Sequence, residues 1–250
     1  MRELLRDVIH HTTKITMEQF VQGLYLMGAY LPEEYVLLVD EQDNKSKQWC
    51  SDIVLSHQPD DKKPSETINL PYGNHEKELQ ACAEINRSTD QRRIDNLVII
   101  DDCSYTATDI CSRFLDTIVK NYQPKPVLSY EEDLETEEDD DDMEVDDSSS
   151  IVNVYVLIPF MTRRAYDYIK SYDSYEFINI ILPKEKDIQF VESIEDIIPD
   201  QRQRLDIRSI MEVNLPDGYT VTCFEHKVPD YVSFPRPFLK FFENPDNKPY

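Results

Sequence analysis

The chain is short of positive charge, of paired cysteines and of long apolar runs, and each shortage removes a class of function. Lys and Arg number 26 against 50 Asp and Glu, a formal net charge of -24. Direct nucleic-acid binding and unaided attachment to an anionic membrane surface are therefore not expected. The 5 cysteines, Cys50, Cys82, Cys103, Cys111 and Cys223, form an odd set without a C-x-x-C pair. That argues against a disulfide framework or structural zinc and for buried thiols in a reducing compartment. No stretch approaches the roughly 18 apolar residues of a membrane span, and the opening MRELLRDVIHH lacks the apolar core of a secretory signal. The expectation is a soluble, cytoplasmic protein without a membrane partner.

Much of the acidity is local. Glu131 to Asp147 holds thirteen carboxylates and no basic residue, so the rest of the chain sets 37 acidic residues against 26 basic ones, about -11. The tract YEEDLETEEDDDDMEVDDSSS cannot bury enough apolar surface to offset the entropy of ordering it. Residues from about 128 to 150 therefore read as a disordered insertion. The insertion could recruit a basic protein partner, be phosphorylated at Ser148 to Ser150, or act as a solvated spacer. With 250 residues, the chain suits one domain with extensions: a helical N-terminal extension over 1–30 and an α/β domain over 31–250.

Hydrophobic spacing outlines that domain. In ITMEQF, Thr16 and Gln19 form a capping box and Ile15 and Phe20 a hydrophobic staple. Phe20, Leu24 and Met27 then share one helical face, with Val21, Tyr25 and Gly28 beside them. Leu31 to Asp40 ends in a buried strand, followed by the polar loop EQDNKSK. Gln58 to Asn74, with Pro59, Pro64, Pro71 and Gly73, reads as an exposed excursion. Glu76 to Arg93 is expected to be a helix with Leu79, Cys82, Ala83 and Ile85 inward. Leu97 to Ile100 is the next strand, and Ile110, Cys111, Phe114, Leu115, Ile118 and Val119 mark a helix reaching Lys120. Beyond the acidic tract come a strand in Ile151 to Pro159, a helix in Met161 to Tyr172, a strand in Phe177 to Leu182, an irregular helix in Ile188 to Ile198 and a last strand in Tyr219 to Phe224.

Strands that are aliphatic throughout, alternating with helices, imply a mostly parallel central sheet flanked by helices, a Rossmann-like architecture. Right-handed crossovers then bring the C-terminal strand ends to one edge, where open α/β sheets bind ligands. Asp101 and Asp102 fall at that edge. Two adjacent carboxylates can accept hydrogen bonds from a vicinal diol, and their repulsion falls when a sugar or a magnesium ion approaches. The turn CSYTATD opens a helix, whose free N–H groups and dipole attract phosphate. Diol acceptor and phosphate cradle side by side meet the demand of a ribose 5-phosphate.

LVIIDDCSYTATD, Leu97 to Asp109, resembles the phosphoribosyl-pyrophosphate motif of type I phosphoribosyltransferases: four hydrophobic residues, an acidic pair and a loop opening a helix. The resemblance implies a phosphoribosyltransferase-like fold in which Asp101 and Asp102 hold the ribose hydroxyls. Ser104, Tyr105, Thr106, Ala107 and Thr108 would hold the 5-phosphate, with Mg2+ on the pyrophosphate. The tail segment CFEHKVPDYVSFP is similar to the ending of divergent members. Two departures stand out: Ala107 and Thr108 occupy positions where the family usually has two glycines, or a glycine and a small residue, and Asp109 brings negative charge to the phosphate end. An alanine held at positive φ costs roughly 1 kcal/mol or more. The polar loop after Val39, with Lys45 and Lys47, is the best location for a pyrophosphate loop.

Plainer readings stand beside this one. The acidic pair could be a solvated strand terminus with Thr106 capping the helix. A response-regulator receiver would need a phospho-accepting aspartate on a later strand, and Leu157, Ile158, Pro159 supply none. His226 and Lys227 could face the ligand edge or be surface residues, and Arg163 and Arg164 could offset pyrophosphate charge or form a surface pair. Phe234, Phe238, Phe241 and Phe242 suggest a tail docked on the domain or on a neighbouring subunit of a homodimer. Two functions follow: a protein that binds phosphoribosyl pyrophosphate or a nucleotide and transfers phosphoribosyl to a nitrogen base, or a catalytically inactive regulatory module of the same fold.

Overall fold

Strands apolar on both faces need helices on both sides, and the computed structural model, which describes residues 11, 13–40, 46–71, 75–92, 94–104, 106–108, 110–121, 151–205 and 222–224, has that layering. Strand β1 (Thr13–Ile15) leads into α1 (Met17–Gly28), β2 (Val36–Asp40), α2 (Ser46–Ser56), β3 (Glu66–Leu70), α3 (His75–Arg92) and β4 (Asn96–Ile100). Next come a two-residue strand β5 (Cys103–Ser104), a π-helical turn (Ile110–Leu115) and α4 (Asp116–Asn121). The later elements are β6 (Val152–Leu157), β7 (Phe160–Met161), α5 (Arg163–Lys170), β8 (Ile178–Ile181), β9 (Gln189–Phe190), α6 (Ile194–Ile197) and β10 (Thr222–Phe224). The acidic insertion, His226, Lys227 and the aromatic tail lie outside the described residues, as do Lys45, Tyr105 and Asp109.

Five strands pair in the order β3-β2-β4-β6-β8, every neighbour parallel. The fold is α/β, compatible with a Rossmann-like arrangement. Alternation along the strands divides the core in two. Val36, Leu38, Leu97 and Ile99 pack under α3, the π-helical turn and α5, while Leu37, Val39, Val98 and Ile100 pack under α1 and α2. On that second side Phe20, Leu24 and Met27 are fully buried, as the staple residue Ile15 is. The capping box is formed: Thr16 Oγ1 accepts from the Gln19 amide at 3.2 Å, and Gln19 Oε1 accepts from the Thr16 amide at 2.9 Å.

Several expectations are corrected. The polar loop after β2 is shorter than expected, because α2 begins at Ser46 and takes in Lys47. The Pro-rich excursion contains β3, an edge strand whose Ile68 and Leu70 are buried while Thr67 and Asn69 are exposed. Helix α3 turns Ala81, Cys82, Ile85 and Ser88 inward, leaving Leu79 and Ala83 exposed. Met161 belongs to β7, and Ile188 to Ile198 divides into β9 and α6. Strand β10 pairs with β1, outside the central sheet. Cys50, Cys82 and Cys111 are buried and Cys103 is half-buried. Among the described residues no helix is long and apolar enough to cross a membrane.

Two polar devices trim the sheet. At its N-terminal end, Asn153 donates to Asn96 Oδ1 at 3.1 Å, Asn179 donates to Asn153 Oδ1 at 2.8 Å, and Asn96 donates to the Glu34 carbonyl at 2.9 Å. The three asparagines are direct register partners on β4, β6 and β8. On the outer rim of β8, the Ile180 amide donates to Asp173 Oδ1 at 2.6 Å and the Ile178 amide donates to the Tyr175 carbonyl at 3.0 Å. Local groups thus cover an edge that would otherwise offer backbone donors to another strand.

Candidate functional site

The chain runs from β2 outward to β3 and then back across β2 to β4, so its winding reverses between β2 and β4. Such a reversal opens a crevice at the C-terminal strand ends, the usual ligand position of a doubly wound sheet. Asp101 and Asp102 follow β4 at this point. Asp101 extends the pairing by one residue, its amide donating to the Leu157 carbonyl at 3.3 Å.

Both acids are buried, with 6% of Asp101 and 3% of Asp102 exposed. Each folds back on the chain that follows it. Asp101 Oδ1 accepts from the Asp102 amide at 2.9 Å, and Asp102 Oδ1 accepts from the Cys103 amide at 2.9 Å and from the Cys103 thiol at 3.4 Å. Side chain to backbone bonds of this kind compete with the strand ladder and interrupt it. The strand resumes as β5, which pairs in parallel with β7, which in turn pairs with β9. A second, three-stranded sheet thus continues past the central one. Ser104, expected in the turn, lies in β5, where its carbonyl accepts from the Thr162 amide at 3.2 Å.

The turn itself follows at Thr106, Ala107 and Thr108. Thr106 Oγ1 accepts from the Thr108 amide at 3.3 Å. Ala107 is buried at φ 59°, the left-handed region, and it is the one non-glycine residue there among the described residues. Its carbonyl accepts from the Cys111 amide at 2.8 Å, and the Thr108 carbonyl accepts from Ser112 Oγ at 2.6 Å. The helix opens with a π-helical turn, a form that concentrates at functional sites. Left-handed strain in a non-glycine residue is another such marker. The expected positive φ at this loop position is present, and alanine bears it.

The helix that follows the turn carries a polar cluster in which Cys111 and Tyr172 are buried and Asp116 is half-buried. Tyr172 donates to Asp116 Oδ1 at 2.6 Å. Burial pushes the Cys111 thiol up to about 12, against a lowering contribution from the Tyr172 hydroxyl and with a raising one from Asp116. Tyr172 is likewise raised, first by burial and then by its bond to Asp116. Raised in this way, Cys111 and Tyr172 keep their protons at neutral pH.

The neighbouring α5 is capped by buried Thr162, whose Oγ1 accepts from the Ala165 amide at 3.0 Å. Arg163 is committed elsewhere: Nη1 meets Glu185 Oε2 at 2.9 Å and the guanidinium lies 3.7 Å from the centre of the Phe190 ring. Arg164 is exposed. Among the described residues no group of three or more His, Cys, Asp or Glu side chains is arranged to hold a metal ion. Sequence reasoning missed the second sheet, whose two-residue strands carry no periodic signal of their own. No family model, curated protein or solved structure matches the chain.

Proposed function

We propose that the chain is a phosphoribosyltransferase-like protein that binds phosphoribosyl pyrophosphate or a nucleotide where β4 gives way to β5 and the Thr106–Thr108 turn. One observation carries this reading: the acidic pair and the left-handed Ala107 stand together where the sheet winding reverses. Asp101 and Asp102 would take the ribose hydroxyls, and Ser104, Thr106, Ala107 and Thr108, with Tyr105, would surround the phosphate. Mg2+ would be held through the pyrophosphate oxygens of the bound ligand, a mode in which the ion keeps several waters and asks little of the protein. The ion supplies charge neutralisation of the leaving pyrophosphate when bound. In a transferase, a nitrogen base would attack the anomeric carbon as pyrophosphate departs, and the chain's share would be positioning and charge stabilisation.

A second reading, a catalytically inactive regulatory module whose acidic insertion recruits a basic partner, is favoured by the burial of both carboxylates and by the bond each makes to the next amide. A ribose gripped by Asp101 and Asp102 has to reach carboxylates that are both buried. Calorimetry with phosphoribosyl pyrophosphate and Mg2+ tests the site: saturable binding abolished by Asp101→Asn with Asp102→Asn supports it. Absence of binding at millimolar ligand removes it. Pyrophosphate release on adding a set of bases separates the enzyme from the module.

A further inference from the structure

The two edges of the central sheet are finished differently. On β8, Asp173 and the Tyr175 carbonyl take up amides of the outer rim. On β3 the backbone of Thr67, Ile68, Asn69 and Leu70 bonds, among the described residues, only within the ladder to β2. The side of β3 turned away from β2 therefore presents the amides and carbonyls of an open edge. The usual guards of such an edge are missing as well. ETINL holds no proline and no lysine, and its register with β2 runs from Glu66 to Leu70 without a bulge. Its one charge, Glu66, is engaged within the chain, by the Ser88 hydroxyl and by Arg87 Nη2 at 3.6 Å.

We propose that β3 pairs with β3 of a second copy of this chain, antiparallel about a two-fold axis at Ile68, so that the two central sheets join into one. The strand is matched to itself in that register. Ile68 stands opposite the partner's Ile68, Thr67 opposite the partner's Asn69, and Glu66 opposite the partner's Leu70. Residues directly opposite share a face. Thr67 and Asn69 are exposed and Ile68 and Leu70 buried, so polar meets polar on the open face, isoleucine meets isoleucine beside the core, and no acid faces an acid. Charge favours a second copy over a basic partner. With a net charge of -24, two copies can meet only where acids are scarce, and Thr67 to Leu70 contain none. A basic partner is drawn to acids, and Glu66 is already engaged by Ser88 and Arg87. The two-fold axis uses up both β3 edges, and the covered β8 rims stop the assembly at two copies.

Sedimentation velocity on the full chain should show a monomer–dimer equilibrium that tightens as salt is added, because screening relieves the repulsion of two acidic copies. Thr67→Lys combined with Asn69→Lys sets ammonium against ammonium in two pairs per dimer and should weaken association about tenfold, with far-UV circular dichroism unchanged. Thr67→Glu combined with Asn69→Glu should weaken it likewise, and mixing the two variants should restore a dimer built from one copy of each. A parent that stays monomeric overturns the proposal. Slow hydrogen exchange at the Thr67–Leu70 amides would then assign the edge to a cover from its own chain, and fast exchange would leave it for a strand of another protein. A dimer that the lysine variant leaves intact, or that the mixture fails to restore, also overturns it, since the interface then lies elsewhere.

Discussion

Replacing Ala107 by glycine separates left-handed strain from ordinary packing. Ala107 sits at φ 59° with 1% exposure, so loss of its methyl has three consequences. Release from the left-handed region stabilises the folded state by about 1–2 kcal/mol. Loss of one buried methyl costs about 0.8 kcal/mol, and the wider freedom of glycine in the unfolded chain costs roughly 0.5–1 kcal/mol. The net effect lies within about 0.8 kcal/mol of zero. Ala165→Gly is the matched control: Ala165 is fully buried within α5, gains no relief, and should lose about 2 kcal/mol from methyl burial and helix propensity together. Urea unfolding followed by circular dichroism, with equal m-values, measures both variants. Equal destabilisation by the two substitutions refutes the strain at residue 107. Under the proposed function, Ala107→Gly should also bind phosphoribosyl pyrophosphate at least as tightly as the parent, and a tenfold loss would assign the methyl itself to the site.

Three further outcomes follow from geometry elsewhere. Gly23→Ala should destabilise by about 1 kcal/mol in thermal unfolding, because helix propensity gains about 1 kcal/mol while overpacking costs 1–3 kcal/mol; its Cβ would meet Pro159 at 2.8 Å and the Phe160 ring at 3.3 Å. Alkaline pH should weaken the fold: Cys111 is raised from 9.0 to about 12, so the unfolded chain releases this proton first. Its contribution is complete below pH 9 and is lost as pH rises toward 12, at up to about 1.4 kcal/mol per pH unit. Cys111→Ala should flatten part of that slope in urea titrations between pH 8 and 10. Asp173→Ala should cost about 1–3 kcal/mol by stranding the Ile180 amide and should raise the sedimenting mass as the bared β8 edge pairs with another copy. An unchanged midpoint and mass would refute that role for Asp173.

Legibility followed the reach of the signal. The aliphatic runs of β4 and β6 and the capping box ahead of α1 are statements about a few adjacent residues, and each appears where its residues indicated. Strand β3 was legible too, since Thr67, Ile68, Asn69 and Leu70 alternate polar and apolar as a half-buried edge strand does, but the nearby prolines drew the reading toward a loop. Strands β5, β7 and β9 exist only through one another, because two residues define a strand only when a distant pair lies alongside. The place of the acidic pair at the strand end is legible in the residues, but its burial is not. A carboxylate that bonds the next amide satisfies itself locally, and nothing in the residue types distinguishes that from one held open to solvent.

The row of amides through Asn96, Asn153 and Asn179 has a bearing on how the sheet finds its alignment. A strand that is greasy on both sides gives its neighbour little reason to prefer one offset over a slide of two residues, since every such offset hides comparable surface. Side-chain amides can zip together only when all three stand level, so one offset is singled out at the end of the sheet opposite Asp101 and Asp102. The crevice end is thereby spared the task of keeping the strands in step, and its residues are at liberty to change without shuffling the rest.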